Sequence, residues 1–332
     1  MESLLKDRFG RIHDYLRISV TDRCNLRCVY CMPAEGLQWM ENKKILSYEE
    51  ISYVVEVAAK LGVRKLRITG GEPLVRKDLT KLIAKLSKIP GIEDIALTTN
   101  GILLEALAEP LRAAGVTRIN ISIDSLKDAR FAEITRGGDL QKVLRGLEAA
   151  VRVGMQPIKI NTVLMKQNLD EIPDFIRLIE THPYHIRFIE YMPIGHADDA
   201  WRDAYTPLSQ VRESIEQMGF QQRESTFAGN GPAEYFHKDG YSGSIGFIHP
   251  VSDHFCANCN RLRLTADGFL KPCLYWSYEY NVRNFIGDED GMKRLLFDAL
   301  GIKPESHEMA KQLLQQELGH MPTDRRMSQI GG

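Results

Sequence analysis

Between residues 14 and 220 the chain carries six short β-like stretches, and in four of them apolar and polar side chains alternate with a period of two. The six are YLRISV (15–20), KLRITG (65–70), EDIALTT (93–99), RINISID (118–124), IKINTV (158–163) and HIRFIEYM (185–192). Between them the apolar positions recur at helical spacing, as in SYEEISYVVEVAAKLG (47–62) and LLEALAEPLRAAG (103–115), with further helical stretches at 141–154 and 169–180. A period of two marks a strand with unlike faces, and a period near 3.6 marks an amphipathic helix. Ser47 with Glu50 three residues on forms a capping box, and Gly62 suits the end of the same helix. Strands alternating with helices read as βαβ units in a parallel sheet.

The strand faces carry more than the fold class. Leu16, Ile18 and Val20 oppose Arg17 and Ser19, while Leu66 and Ile68 oppose Arg67 and Thr69. Ile119, Ile121 and Ile123 oppose Asn120, Ser122 and Asp124, and Ile158 and Ile160 oppose Lys159 and Asn161. Strands covered on both faces are usually apolar throughout, so an antiparallel sheet with one wet face is the alternative. The helical crossovers favour parallel pairing. An α/β fold satisfies both patterns: an incomplete (βα)6 TIM-type barrel with a polar lumen and a site at the C-terminal strand ends. Six units fall short of the eight that close a barrel. Residues 1–220 are therefore read as the partial barrel, and residues 221–332 as a C-terminal extension covering its open side. That extension has β-like pieces at 234–240 and 244–250 and a helical tail.

Bulk properties narrow the function classes. A chain of 332 residues suffices for one large or two medium domains. A formal net charge of −1 gives no global field for a nucleic-acid polymer or an anionic membrane, so any polyanion would be held by local basic groups. The start, MESLLKDRFGRIHDYLRISV, lacks the apolar core of a signal peptide, and no stretch approaches the roughly 18 apolar residues of a membrane span. The expected location is the cytoplasm.

Six cysteines in a reducing compartment are not expected to form disulfides. They fall into two triads, Cys24/Cys28/Cys31 and Cys256/Cys259/Cys273. The first follows directly on the first strand. Three thiolates within eight residues can wrap one iron–sulfur cluster and leave one iron open for a reactant. Zinc would need a fourth protein ligand, for which His13 is the nearby candidate. The second triad could form a zinc knuckle with His254 or His249. Arg261 and Arg263 argue instead for chemistry, since alternate residues of an extended segment share a face and make a fork-like anion site beside the thiolates.

The C-x3-C-x-Y-C loop after a strand resembles the signature of radical S-adenosylmethionine (SAM) enzymes, and Gly70-Gly71-Glu72-Pro73 resembles their GGE motif. Over nearly its full length the chain is similar to the GTP 3′,8-cyclases of molybdenum cofactor biosynthesis. The stretches that carry the resemblance are 15–33, 66–79, 98–101, 119–126, 187–195 and 255–274. It implies two 4Fe-4S clusters, one per triad, with SAM on the open iron of the first and the guanine of GTP facing the second. It implies Tyr30, Gly71, Glu72, Ser122 and Met192 as SAM contacts, and Arg17, Arg67, Thr98, Lys159, Arg261, Leu262 and Arg263 as GTP contacts. Arg17, Arg261, Arg263 and the Gly331–Gly332 tail would serve catalysis. The implied reaction takes the ribose 3′ hydrogen of GTP and closes C3′ onto C8 of guanine, giving (8S)-3′,8-cyclo-7,8-dihydroguanosine 5′-triphosphate. A cyclic pyranopterin monophosphate synthase would follow, flavodoxin or ferredoxin would supply electrons, and a homodimer is left open. Two other readings stand beside this one: another radical SAM enzyme with an auxiliary cluster, and a non-catalytic zinc protein.

Overall fold

A computed structural model of the chain describes residues 4–195, 198–224, 231–253 and 255–331. The six expected strands are β1 (Tyr15–Ser19), β2 (Lys65–Thr69), β3 (Asp94–Thr99), β4 (Arg118–Ser122), β5 (Ile158–Leu164) and β6 (Tyr184–Glu190), parallel and adjacent in chain order. Their crossovers hold α1 (Tyr48–Lys60), α2 (Leu79–Leu86), α3 (Leu104–Ala114), α4 (Asp128–Thr135), α5 (Leu140–Arg152) and α6 (Ile172–Thr181). The capping box forms as the sequence predicts: Ser47 Oγ accepts from the Glu50 N–H at 3.1 Å, and Glu50 accepts from the Ser47 N–H at 2.6 Å. Helices α2 and α4 are additions to the pattern-based reading, each only 8 residues long. So short a stretch gives a weak periodic signal.

The C-terminal region does more than cover an opening. It contributes β7 (Gln221–Gln222), β8 (Glu234–His237), β9 (Ser244–Ile248), β10 (Arg261–Leu264), β11 (Phe269–Lys271) and β12 (Tyr280–Asn281). β9 pairs parallel with β6, and β10 pairs parallel with β1. The six-stranded core thus gains a parallel strand on each edge, and among the described residues one sheet of twelve strands joins the segments before and after residue 220. α7 (Asp199–Ala204) and α8 (Ser209–Gln217) follow β6, and α9 (Glu289–Gly301), α10 (Met309–Leu313) and α11 (Met327–Ile330) complete the chain.

The strands pair so that like residues form rows. One row runs Leu264, Ile18, Ile68, Leu97, Ile119 and Ile158 across neighbouring strands, all buried under the helices. On the other face, Arg263, Arg17 and Arg67 stand side by side on β10, β1 and β2. Thr98, Asn120, Lys159 and His185 form a second polar row, and Ser122, Asn161 and Arg187 a third. Adjacent cations on one sheet face repel each other, so stability alone gives no reason for such rows.

Candidate active site

The polar rows meet in one cavity lined by residues of β1 to β6 and β10 together with the loops that follow them. Arg67, Arg187 and Arg263 are buried in its wall, and Lys159 is buried close to Arg187 and Arg67 but is not itself a lining residue. The Arg67 Nε donates to the Tyr15 hydroxyl, and its Nη1 lies 3.5 Å from Thr98 Oγ1. Arg187 donates to Asn161 Oδ1 at 2.8 Å and to Asn120 Oδ1 at 2.7 Å. Burial, then Arg263 and Arg67, lowers Arg17 well below the usual arginine value. Burial, then Arg187, Arg118 and Arg67, brings Lys159 down to about 6. Crowded cations with depressed affinity for protons need a polyanion to match them.

The first triad lies in the loop after β1, strapped to α4 by the Arg27 and Val29 N–H groups, which donate to the Thr135 and Ile134 carbonyls at 3.1 and 3.0 Å. Cys24, Cys28 and Cys31 line the cavity. Burial pushes the Cys24 thiol up to about 11 and Cys31 up to about 12, and it raises Cys28 well above its ordinary value. Buried thiols with no cation stay protonated, whereas bound iron would take them as thiolates. Their chemistry therefore fits a cluster. The GG turn sits on this loop: a Cβ on Gly71 would lie 2.4 Å from the Arg23 carbonyl oxygen and 2.6 Å from that of Asp22. Glycine here lets the β2 loop close against the cysteine loop.

Glu72 is buried and accepts from the Thr99 hydroxyl at 2.7 Å and from the Asn100 and Leu74 N–H groups at 2.7 and 3.0 Å. Those bonds lower its affinity for protons, but burial outweighs them and raises it to about 7. An ammonium would supply the missing charge. The Tyr30 hydroxyl donates to Asp124 at 2.8 Å, and burial raises that carboxyl to about 6. Ser122 lines the same cavity at the end of β4. Met192, just beyond β6, lines both this cavity and the pocket of the second triad.

That second triad reaches its pocket through a hairpin. Cys256 and Cys259 precede β10, and β11 returns antiparallel with Lys271 opposite Arg263. Continuing that register sets Cys273 opposite Arg261, which explains the long spacing in sequence. The first triad follows the C-terminal end of β1, and β10 begins level with Tyr15 at its N-terminal end. The two triads thus join the sheet at opposite ends of β1, a strand about 17 Å long at ~3.3 Å per residue. Burial pushes Cys256 up to about 11. It pushes Cys259 up as well, but Arg261 and then Lys303 outweigh it and bring this thiol down to about 6. Arg261 and Arg263 line both the cavity and this pocket, as a shared face requires.

Leu262 is placed differently from the substrate contact the resemblance implies. Its side chain alternates away from the cavity and is fully buried in the apolar layer under the helices. Of the zinc candidates, the two within the described residues also lie elsewhere. His13 is buried against Asp7 at 3.1 Å, His249 lines a separate cleft, and His254 lies outside the described residues. Among the described residues, no three His, Cys, Asp or Glu side chains are set to hold a metal ion.

The tail enters the site. Ser328 donates its N–H to the Cys31 sulfur, and the Gly331 carbonyl accepts from Arg263 at 2.8 Å. Gly331 has φ +78°, and a Cβ there would lie 2.6 Å from Thr69 Cγ2. Gly332 lies outside the described residues. Arg187 is a cavity residue that the sequence reading passed over. It alternates with Ile186 and Phe188 as Arg17 does with Leu16 and Ile18, so the same rule would have found it. Asp124 already stood on the polar side of its strand by alternation, but its partner Tyr30, like the Arg67 partner of Tyr15, comes only with folding.

Comparison with known proteins bears on this geometry. Residues 18–179 match the Radical SAM superfamily, and residues 184–309 match Molybdenum Cofactor Synthesis C. The chain is 54% identical over 331 residues to the GTP 3′,8-cyclase of Listeria monocytogenes serovar 1/2a, covering 99% of each. It is 46% identical over 329 residues to the GTP 3′,8-cyclase of Lactiplantibacillus plantarum, again covering 99% of each. Among solved structures, Streptococcus suis SuiB bound to S-adenosylmethionine shares the fold at a TM-score of 0.59 and 15% identity, over 90% of this chain and 67% of that one.

Proposed function

The chain belongs to the GTP 3′,8-cyclases, radical SAM enzymes that perform the first step of molybdenum cofactor biosynthesis, and from that premise we propose that its two cysteine triads each hold a 4Fe-4S cluster beside one cationic cavity. A cluster on Cys24, Cys28 and Cys31, when bound, supplies the electron that cleaves SAM and so provides a hydrogen-abstracting 5′-deoxyadenosyl group. Glu72 receives the SAM ammonium, and Gly71, Ser122 and Met192 line the space beside it. Tyr30, held by Asp124 and edge-on to Tyr191, lines the same space.

The triphosphate is matched by Arg17, Arg67 and Arg187, with Thr98 beside Arg67, and by Lys159 buried next to them. Arg261 and Arg263, with the backbone of Leu262, hold the nucleotide against the second triad, Cys256, Cys259 and Cys273. Arg263 also donates to the Gly331 carbonyl, so in this reading Gly331 meets the reacting ribose; Gly332, to which the resemblance gives the same role, lies outside the described residues. With GTP so oriented, its 3′ hydrogen atom passes to the 5′-deoxyadenosyl group, which becomes 5′-deoxyadenosine, C3′ closes onto C8, and one electron from the external reductant with one proton from solvent gives the 3′,8-cyclised dihydro nucleotide. Residues 1–220 supply the SAM half of this site and residues 221–332 the auxiliary half. The observation that carries the reading is the convergence of buried cations from separate strands on a cavity lined by the first cysteine triad, with Arg261 and Arg263 shared between it and the pocket of the second.

The same reading assigns a cyclic pyranopterin monophosphate synthase as the next enzyme, flavodoxin or ferredoxin as electron donor, and the cytoplasm as location. It leaves a homodimer open. Among the described residues no helix is long and apolar enough to cross a membrane. Anaerobically reconstituted protein given dithionite, SAM and GTP deuterated at C3′ is expected to yield deuterated 5′-deoxyadenosine and a cyclised nucleotide. Absence of label transfer refutes the assignment. Colourless protein carrying zinc, in place of brown protein with about eight irons per chain, would favour a structural metal protein.

A further inference from the structure

Lys303 lies in a stretch to which neither the sequence patterns nor the resemblance assigns a role. It follows the end of α9, with its N–H donating to the Leu300 carbonyl at 3.1 Å, and it is only 2% exposed. An ammonium has three donors, and here all three are directed at the second triad. One lies 2.7 Å from the Pro272 carbonyl oxygen, next to Cys273. A second lies 2.9 Å from the Arg261 carbonyl oxygen, two residues past Cys259. The third meets the Cys259 sulfur itself at 3.5 Å.

Arg11 completes the arrangement from the other end of the chain. Its Nη1 donates to the Cys256 and Glu305 carbonyls, both at 2.8 Å, and its Nη2 donates to the Pro304 carbonyl at 2.8 Å. Asp7 fixes the guanidinium in turn, with its Oδ2 2.5 Å from Arg11 Nε. Every cysteine of the triad is thus tied, through its own atoms or its neighbour's, to one of two buried cations brought from segments distant in sequence. The anionic groups that face Lys303 are the sulfurs of Cys259 and Cys273, while Arg261 and Arg11 oppose its charge. Burying an ammonium costs free energy unless the charge is matched. Apolar side chains would have filled the volume at less cost, so the charge itself has a use. Hydrogen bonds to cluster sulfurs set the reduction potential and retention of such centres.

We propose that Lys303, braced by Arg11, is a positioning residue for the second cluster: it donates to the Cys259 sulfur, secures retention of the cluster and holds its reduction potential up. This rests on the reading that the Cys256 triad carries a cluster. The test compares anaerobically reconstituted full-length wild type with Lys303→Met and Lys303→Gln, by iron count, by electron paramagnetic resonance of each reduced cluster, and by redox titration. Wild type with about four irons, rather than about eight, would overturn the cluster reading itself. Given about eight in wild type, Lys303→Met is expected to lose the second signal or to move it to a more negative potential. The first-cluster signal and GTP-independent SAM cleavage should stay as in wild type. Lys303→Gln, which keeps a donor but not the charge, should fall between. Unchanged iron, signal and potential in Lys303→Met would overturn the proposal. Equal loss of both clusters would overturn it too, because Lys303 would then support the fold as a whole.

Discussion

Glu72 and Lys159 are an acid and a base with one thing in common: burial disfavours the charged form of each. Glu72 is raised to about 7 by burial, so in the SAM-free protein it keeps its proton at pH values where the unfolded chain, near 4.5, has lost it. Stability from this group is therefore present at low pH and falls as pH rises from about 4.5 through 7. SAM binding runs the other way, because its ammonium needs the carboxylate. The affinity of the cluster-loaded protein for SAM is expected to rise between pH 6 and 8, whereas Glu72→Gln binds weakly and without that slope. Equilibrium dialysis across the range decides it, and a mutant with the wild-type slope would remove Glu72 from the SAM site. Lys159, brought down to about 6, is mostly neutral at pH 7.5, and a triphosphate beside it would restore its proton. GTP binding should then take up close to one proton, seen by calorimetry in buffers of differing ionisation heat. Lys159→Met should abolish the uptake and weaken GTP by about tenfold or more, as expected when one charge-assisted hydrogen bond is lost.

At the scale of elements, the tail is the piece whose local structure depends most on its surroundings. Helix α11 is 4 residues long and could not persist alone. It is held where Arg325 pairs with Asp267 and Glu279, and where Gly331 threads between Thr69 and Ser19. Gly331→Ala meets both a positive φ and a contact of 2.6 Å, so turnover should drop at least tenfold with iron content unchanged. Deleting Gly331–Gly332 should abolish turnover with both clusters retained. A variant without the tail that turns over normally would show that the Arg263–Gly331 contact is idle. The strands β1, β2, β4 and β5 were legible because each alternates cleanly, and Arg17, Arg67, Ser122 and Lys159 followed from that alternation. β10 was legible only as an extended segment bearing two arginines. That it joins β1, with Arg263 beside Arg17, is a pairing between residues some 250 positions apart, which no local period encodes.

The molecule as a whole closes its sheet core from both sides. β9 on β6 and β10 on β1 satisfy edges that six strands alone would leave open. Open edges of this length invite association with other chains. A fragment ending at residue 220 is therefore expected to aggregate on expression, and adding residues 221–332 in trans should recover soluble protein. A monomeric, cluster-bearing fragment would show instead that the core is self-sufficient.

By itself the sequence determined the alternation of strand and helix, the polar face that became the cavity wall, and the grouping of the six cysteines. These are legible because side-chain period and ligand spacing are local properties of the chain. The tertiary structure alone decided that the two triads join the sheet at opposite ends of β1, that Leu262 turns away from the cavity between two arginines that face it, and that Lys303 and Arg11 meet around the second triad. Each depends on strand register or on a buried charge finding its partner across hundreds of residues, and such partners exist only once the chain has folded.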